Sequence, residues 1–375
     1  RGVFQAMYDM LPTACSQIGE QLLRVSLIIL GAYLVATGYL EVSAISDIGA
    51  IATISGMLVA TVILLWFVKK RLVIDYEPQS GPWLMYAKTI WLMGIVASCH
   101  HLILILIQMV DVFTIVPALM DYGLTALEAK ATKGIFDRGY PLIQLGTIIG
   151  SSFALSFIPA ATNYQKDFNH VHSGLKICVY LSWGAMIGLI FTFTEVNLLL
   201  FQDTHGTIHL QILSLAILLC SIVITGIAIL QALNHYVTTA CYVVLALVLK
   251  WLFNILLVPV WGIMGSAIAT IAVLIGLCIL VIIELNKSLP QFSWFKQLNY
   301  GALLRSTMFM VSYIILMKLM FQPLLISTRW GLFVYVIAVV VIGGFLYLYV
   351  LIKSAALSEE ELQALPMSSI FKKWI

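Results

Sequence analysis

The chain has 375 residues, of which 62% are hydrophobic and only 10% are charged, and its mean hydropathy is +1.03. Soluble domains carry about 25% charged residues, so this composition indicates an integral membrane protein. The net charge of +3 is small, and no segment combines basic clusters with stacking aromatic residues, which excludes a nucleic-acid-binding protein. The six cysteines stand singly without CxxC spacing, which is typical of small core residues.

Ten apolar segments are long enough to cross a bilayer, which requires about 20 residues. They are 12–39, 46–68, 88–116, 141–161, 175–197, 208–230, 237–258, 262–285, 303–322 and 330–352. Each is apolar all round, whereas a barrel strand would alternate, so we expect an all-α membrane protein. We expect three parts: the end of an N-terminal lobe with two spans (1–70), a C-terminal lobe with six spans (71–287), and two additional spans with a cytoplasmic tail (288–375).

The distribution of lysine and arginine predicts the orientation, with a cytoplasmic C-terminus. Basic residues follow spans two, four, eight and ten, whereas three of the opposite loops (40–46, 198–207 and 259–261) contain none. The loop 117–140 is the exception, because it places Lys130, Lys133 and Arg138 on the outer side. Within it, 121–136 is predicted to form an amphipathic helix at the interface.

A short internal repeat relates span two to span eight. Residues 49–53 (GAIAT) resemble residues 266–270 (SAIAT), with an offset of 217. Parallel repeats of this kind mark the two halves of some transporters. The offset predicts about 130 further residues, room for roughly four spans, upstream of Arg1.

Two adjacent charged residues open the fourth span. An ion pair between Asp137 and Arg138 at this point is costly unless something polar meets it. The span that follows also carries Gln144 and Ser151. This pattern predicts a helix that faces water or a polar ligand, with these four residues as candidates for substrate binding.

Asp111 is the most isolated charge, since it lies among Leu, Ile, Val and Phe in span three. Either another helix satisfies this carboxylate, or it forms a cation or proton site that couples transport. Asn254 and Thr270 would supply neutral oxygens, which suit Na⁺ as a hard cation. Lys250 precedes Asn254 by one turn, and would be the counter-charge of Asp111 or bind an anionic substrate.

Other charges within spans have more local interpretations. Glu20 and Arg24 are four residues apart, so they either neutralise each other on one helix face or form a polar wall of the cavity. Lys318 is close enough to a helix end for its ammonium to reach water, and we expect Glu195 to be solvated.

Motifs for catalysis are absent from the sequence. It contains no nucleophile elbow, phosphate-binding loop or metal-ligand spacing, and His100, His101 and His235 do not form a HExxH pattern. We therefore expect a protein that is not an enzyme and holds no metal, except for a coupling ion at Asp111.

Three motifs resemble the MurJ/SpoVB-type flippases, a polysaccharide biosynthesis protein family of the MATE-like MOP exporter superfamily. The first is Arg1–Ala6 (RGVFQA) with Pro12–Gln17 (PTACSQ) and Glu20–Gln21, similar to RGxFQG…PTAxSQxxEQ. The others are Phe136–Thr147 (FDRGYPLIQLGT), similar to DRGxPLxQLGT, and Leu249–Asn254 with Gly262–Ala267 (LKWLFN and GIMGSA), similar to LKxxxNxxLIPxxGixGAA.

The resemblance implies a two-lobe bundle of fourteen helices, of which this chain would supply helices five to fourteen. It also implies a monomer in the bacterial plasma membrane, beside cell-wall synthesis proteins, that flips lipid II by alternating access. Arg138 matches the arginine that the family turns toward the pyrophosphate. Asp111 falls where some members hold a sodium-binding carboxylate, and Asn254 matches a neutral ligand. Val258 stands where a second acidic ligand is expected.

Other functions remain open under this resemblance. The cargo could be another lipid-linked polysaccharide unit, and the coupling ion Na⁺ or H⁺. A cation-coupled multidrug exporter of the same fold would favour carboxylates and aromatic residues over arginines in its cavity. A membrane glycosyl or acyl transferase would need clustered His, Asp or Glu residues in its loops, which this sequence lacks.

Overall fold

A computed structural model describes residues 1–6, 9, 11–41, 43–71, 82–85, 87–88, 90–91, 94, 102–163, 168–289, 298–325, 328–358 and 361–362. The main regular elements in these ranges are all α-helices. They are α1 (Gly2–Ala6), α2 (Leu11–Ala36), α3 (Ala44–Arg71), α4 (Ile103–Asp121), α5 (Ala126–Asp137), α6 (Gly139–Asn163), α7 (Phe168–Phe201), α8 (Thr207–Leu213), α9 (Ala216–Ala232), α10 (Tyr236–Trp261), α11 (Ile263–Ser288), α12 (Tyr300–Leu325) and α13 (Arg329–Lys353).

The predicted all-α membrane protein is confirmed. Nine stretches of the described chain are long and apolar enough to cross a membrane, with α8 and α9 together forming one of them. The remaining predicted span, 141–161, lies within the 25-residue α6. Of the predicted span 88–116, residues 103–116 lie in α4, which continues to Asp121. The helix predicted within 121–136 is present as α5.

The chain divides into two compact units, Arg1–Pro82 and Trp83–Ile375. In the first unit, α2 and α3 pack as an antiparallel pair, with Gly31 against the side chain of Ile48. A Cβ atom at Gly56 would lie 3.0 Å from the carbonyl oxygen of Glu20. Small residues thus let the two helix backbones approach closely, as is common in membranes. The boundaries predicted at 70 and 287 stay a prediction.

The second unit has its core around α9, which is apolar all round and the most buried of the candidate spans. The main cluster of buried side chains joins α9 to α4, α6, α7, α10 and α11. A second cluster joins α7 to α12 and α13. Glycines again permit close contacts, because a Cβ atom at Gly184 would lie 2.6 Å from the ring of Tyr347.

Two ion pairs connect α7 to the C-terminal part of the chain. Lys318 Nζ lies 3.0 Å from Glu195 Oε1, and Lys176 Nζ lies 2.9 Å from Glu361 Oε2. The expectation that Glu195 is solvated is wrong, since this residue is only 3% exposed. Lys318 pairs with this carboxylate while its own side chain remains 25% exposed, so the expectation that its ammonium reaches water stays a prediction.

Candidate functional site

Arg138 lies at the junction of α5 and α6, where a helix of 12 residues meets one of 25. Its Nη1 donates to both carboxylate oxygens of Asp203, each at 2.9 Å. Its guanidinium carbon lies 4.3 Å from the ring centroid of Phe201, a cation–π distance. The side chain of Arg138 remains 22% exposed. A cation with an anionic partner is thus presented at the edge of the span and not buried within it.

Asp203 belongs to the loop between α7 and α8, 65 residues from its partner. The hydrogen bond from Arg138 is the main reason why the pKa of the Asp203 carboxyl lies below its ordinary value. The backbone N–H of His205 also donates to Oδ1, at 2.9 Å. This carboxylate is therefore ionised at neutral pH and held in place from two sides.

The predicted ion pair between Asp137 and Arg138 does not form. Asp137 instead pairs with Lys133, one turn earlier on α5. Adjacent residues near a helix end project in different directions, whereas residues four apart share a face. The second oxygen of Asp137, Oδ1, is buried and has no hydrogen-bond partner among the described residues.

Gln144 and Ser151 line one cavity of about 190 Å³ on the side of α6. Thr147 and Ser152 add hydroxyls to its wall, and apolar side chains of α4 and α9 complete it. The hydroxyls of Thr147 and Ser151 donate to carbonyl oxygens one turn earlier in α6. The two predicted residues therefore share one recess, whose polar groups all come from α6.

Asp111 lies at the centre of a fully buried polar cluster between four helices. Its Oδ1 lies 2.8 Å from Lys250 Nζ and 2.6 Å from Asn254 Nδ2. Its Oδ2 accepts from the hydroxyl of Tyr140 at 2.5 Å, and Ser266 Oγ donates to Oδ1 at 3.2 Å. Four donors from α6, α10 and α11 thus meet one carboxylate on α4, as an acceptor-only ionised group requires.

Lys250 is the counter-charge of Asp111, which is one of the two roles that its position allowed. Both side chains are 0% exposed. An isolated buried charge is very costly, but a hydrogen-bonded pair of opposite charges is tolerated. Lys250 therefore belongs to the Asp111 cluster, where Thr270 and Asn254 also lie.

Glu20 and Arg24 pair within the first unit, as their spacing predicted. Arg24 Nη2 lies 2.8 Å from Glu20 Oε1, while Arg1 Nη2 lies 2.6 Å from Oε2. Arg1 Nε also donates to Ser16 Oγ at 2.9 Å. The carboxylate is thus held by two arginines, so these three side chains together carry a net positive charge.

Sequence reasoning missed Asp203 and Phe201 as partners of Arg138, and Tyr140 as a partner of Asp111. No motif in the sequence marks these three residues as partners. The nearest indication is that 198–207, which contains Asp203 and Phe201, has no basic residue. His100 and His101 lie outside the described residues.

Comparison with a solved structure defines the class of this protein. The fold matches that of the lipid II flippase MurJ in an inward closed conformation, with a TM-score of 0.57 over 89% of this chain and 66% of that chain, at 12% identity. The chain is thus a multi-pass helical membrane protein with the MurJ flippase fold, which confirms the predicted fold.

Sequence comparison adds the family. The chain is 33% identical over 402 residues to the uncharacterized membrane protein YabM of Bacillus subtilis (strain 168), covering all of this chain and 72% of YabM. It therefore belongs to the family of YabM. It is also 23% identical over 297 residues to the lipid II flippase MurJ of the same organism, covering 72% of this chain and 53% of that protein. The chain thus spans about half the length of this second relative. No family model matches the sequence.

Proposed function

We propose that this protein is a flippase that moves an undecaprenyl-pyrophosphate-linked cell-wall precursor, lipid II, from the inner to the outer leaflet by alternating access. The likeness in fold to a lipid II flippase supports a transporter and not an enzyme. A role in peptidoglycan synthesis, and through it in cell shape, follows from the same cargo.

The observation that carries this proposal is the contact between Arg138 and the carboxylate of Asp203. Asp203 places two carboxylate oxygens 2.9 Å from Nη1, where the oxygens of a phosphate would fit equally well. Guanidinium groups bind carboxylate and phosphate with the same planar set of donors. Arg138 would therefore exchange Asp203 for the pyrophosphate of the cargo.

Two cavities of the second unit suit the other parts of such a cargo. In the recess at Gln144 and Ser151, the polar side chains of α6 offer hydrogen-bonding groups for a sugar or peptide. A larger cavity of about 380 Å³ lies between α6, α7, α12 and α13. Its wall is apolar, with Gly146, Gly184 and Gly343 leaving room between the helices. An unsaturated hydrocarbon chain would be compatible with this cavity.

Lys250 is not part of the proposed substrate site, because its ammonium is fully buried against Asp111. Asp137 stays a candidate, since its free Oδ1 would accept a hydrogen bond from a sugar hydroxyl or an amide. For Glu20 and Arg24 the role of a polar wall stays a prediction.

The test is complementation in a flippase-depleted strain, with variants built into the full-length protein. Arg138→Ala is expected to abolish growth at normal expression, and Arg138→Lys to restore it in part, because a lysine keeps the charge but not the planar fork. Arg305→Ala is the matched control, since Arg305 is exposed and its Nε donates to Gly301 O in its own helix. Normal growth with Arg138→Ala would contradict the assignment. Rescue of capsule synthesis but not of peptidoglycan synthesis by the wild type would transfer the cargo to another lipid-linked polysaccharide.

A further inference from the structure

A cage of oxygen atoms surrounds the ammonium group of Lys250. Five oxygens of described residues lie within hydrogen-bonding distance of Nζ. They are Thr270 Oγ1 at 2.7 Å, Asp111 Oδ1 at 2.8 Å, Asn254 Oδ1 at 3.0 Å, and Ser266 O and Oγ, both at 3.1 Å. An ammonium has only three protons to donate, so the oxygens outnumber them. This arrangement is closer to the coordination shell of a cation than to a set of separate hydrogen bonds.

The same residues were the expected ligands of a coupling Na⁺. Asp111, Asn254 and Thr270 all contact Nζ, and the remaining ligand, Ser266, lies one turn before Thr270. Oxygen atoms are what a hard cation prefers. The centre of the cage, however, is taken by the ammonium, and the carboxylate is already neutralised by it. The residues present therefore do not fit a bound Na⁺ in this chain.

The spacing of the ligands along their helices explains how the ammonium of Lys250 occupies a position that suits a cation. Lys250 and Asn254 share a face of α10, and Ser266 and Thr270 share a face of α11, each pair four residues apart. Asp111 comes from α4, so the ammonium joins three helices. Among the described residues, the cage holds one carboxylate and one ammonium, which gives it a net charge of zero.

We propose that Lys250 is a tethered cation that replaces an exchangeable alkali cation at this position. The wild-type protein then binds neither Na⁺ nor K⁺ in the cage, and its conformational stability does not respond specifically to either ion. Removal of the ammonium, with Asp111 kept, converts the cage into a site for an alkali cation. This inference concerns the ion and not the cargo, so it stands or falls independently of the proposed flippase activity.

The experiment measures the melting temperature of the purified full chain in detergent, in chloride salts of Na⁺, K⁺ or N-methyl-D-glucamine at equal ionic strength. The wild type is expected to melt at the same temperature in all three. Lys250→Ala is expected to melt at a lower temperature in N-methyl-D-glucamine, and to gain roughly 2–4 °C in a saturable way with Na⁺ or K⁺. Comparison of the two alkali salts identifies the ion that the vacated cage selects.

Two matched variants separate ion binding from a general effect of salt. Lys250→Met has no charge and is one atom shorter than lysine, so an apolar methyl group borders the vacated position of Nζ. Such a group cannot coordinate an ion, and the variant is expected to show no gain. Asp111→Asn combined with Lys250→Ala leaves room but no carboxylate, and is also expected to show none. A gain in either control equal to that of Lys250→Ala would overturn the proposal.

If Lys250→Ala does not fold, the response of the wild type to each salt still tests the proposal. A saturable stabilisation of the wild type by Na⁺ or K⁺, lost in Asp111→Asn, would mean that an exchangeable ion enters the cage despite Lys250. Equal melting temperatures in all three salts, with or without Asp111, are the result expected for a tethered cation.

Discussion

Removal of one charge from the buried pair of Asp111 and Lys250 is expected to destabilise the protein strongly. Lys250→Met leaves the carboxylate without its cation, although Asp111 keeps the donors Tyr140, Asn254 and Ser266. Removing one partner of a buried pair typically costs about 3–5 kcal/mol. Because three hydrogen bonds remain, we expect a loss near the lower end of that range, about 3 kcal/mol.

The double variant Asp111→Asn with Lys250→Met tests whether this cost arises from the unpaired charge. It removes both charges together, and replacing a buried pair by neutral groups is often nearly neutral or stabilising. We therefore expect the double variant to lose less than about 2 kcal/mol, and so to be more stable than Lys250→Met alone.

The free energy of unfolding is to be measured for the wild type, both single variants and the double variant by titration with SDS in mixed micelles. Destabilisation of the double variant equal to the sum of the two single effects would show that the residues act independently. That result would refute an ion pair between them in the folded protein.

Two other perturbations test the contact of Arg138 at the start of α6 and the packing of α7. Asp203→Asn removes the carboxylate that is proposed to compete for Arg138, so we expect tighter binding of a short-chain lipid pyrophosphate, measured by calorimetry. Unchanged binding would contradict this competition, and weaker binding would mean that Asp203 helps to hold the cargo. Because the pKa of Asp203 is lowered, its ion pair persists at neutral pH and is lost only as the pH falls through that lowered value, so the gain should be the same throughout pH 6–8. Gly184→Ala places a Cβ atom 2.6 Å from the ring of Tyr347 and is expected to cost about 1–3 kcal/mol in the same SDS titration. Gly188→Ala, one turn later, has nothing within 4 Å and is the control; equal effects of the two substitutions would rule out the steric explanation.

Hydropathy was sufficient to predict the helices, because every backbone polar group must be satisfied within the bilayer. Helix ends were less predictable: the span 88–116 was placed by its apolar residues, but the described helix continues to Asp121. A single charged residue at the end of a span changes the mean hydropathy over twenty residues only slightly.

The partners of the charged residues depended on tertiary contacts that spacing does not encode. The pairs Lys133–Asp137 and Glu20–Arg24 are four residues apart, and the latter was predicted for that reason. Arg138 finds its partner 65 residues away, in a loop with no motif. Sequence neighbours suggested Asp137 instead, and that suggestion was wrong because their side chains leave the helix end in different directions.

The buried pair has a consequence for the order in which the helices enter the membrane. Asp111 is synthesised 143 residues before Asn254, and Lys250 belongs to the same late helix, α10. An aspartate at the centre of a span costs about 2.5–3.5 kcal/mol during insertion, which the other apolar residues of α4 must offset. Until α10 is made, Asp111 lacks its counter-charge, and among the donors described above only Tyr140 of α6 can reach its carboxylate. Retention of α4 beside the insertion machinery, and not immediate release into lipid, is the expected consequence for biogenesis.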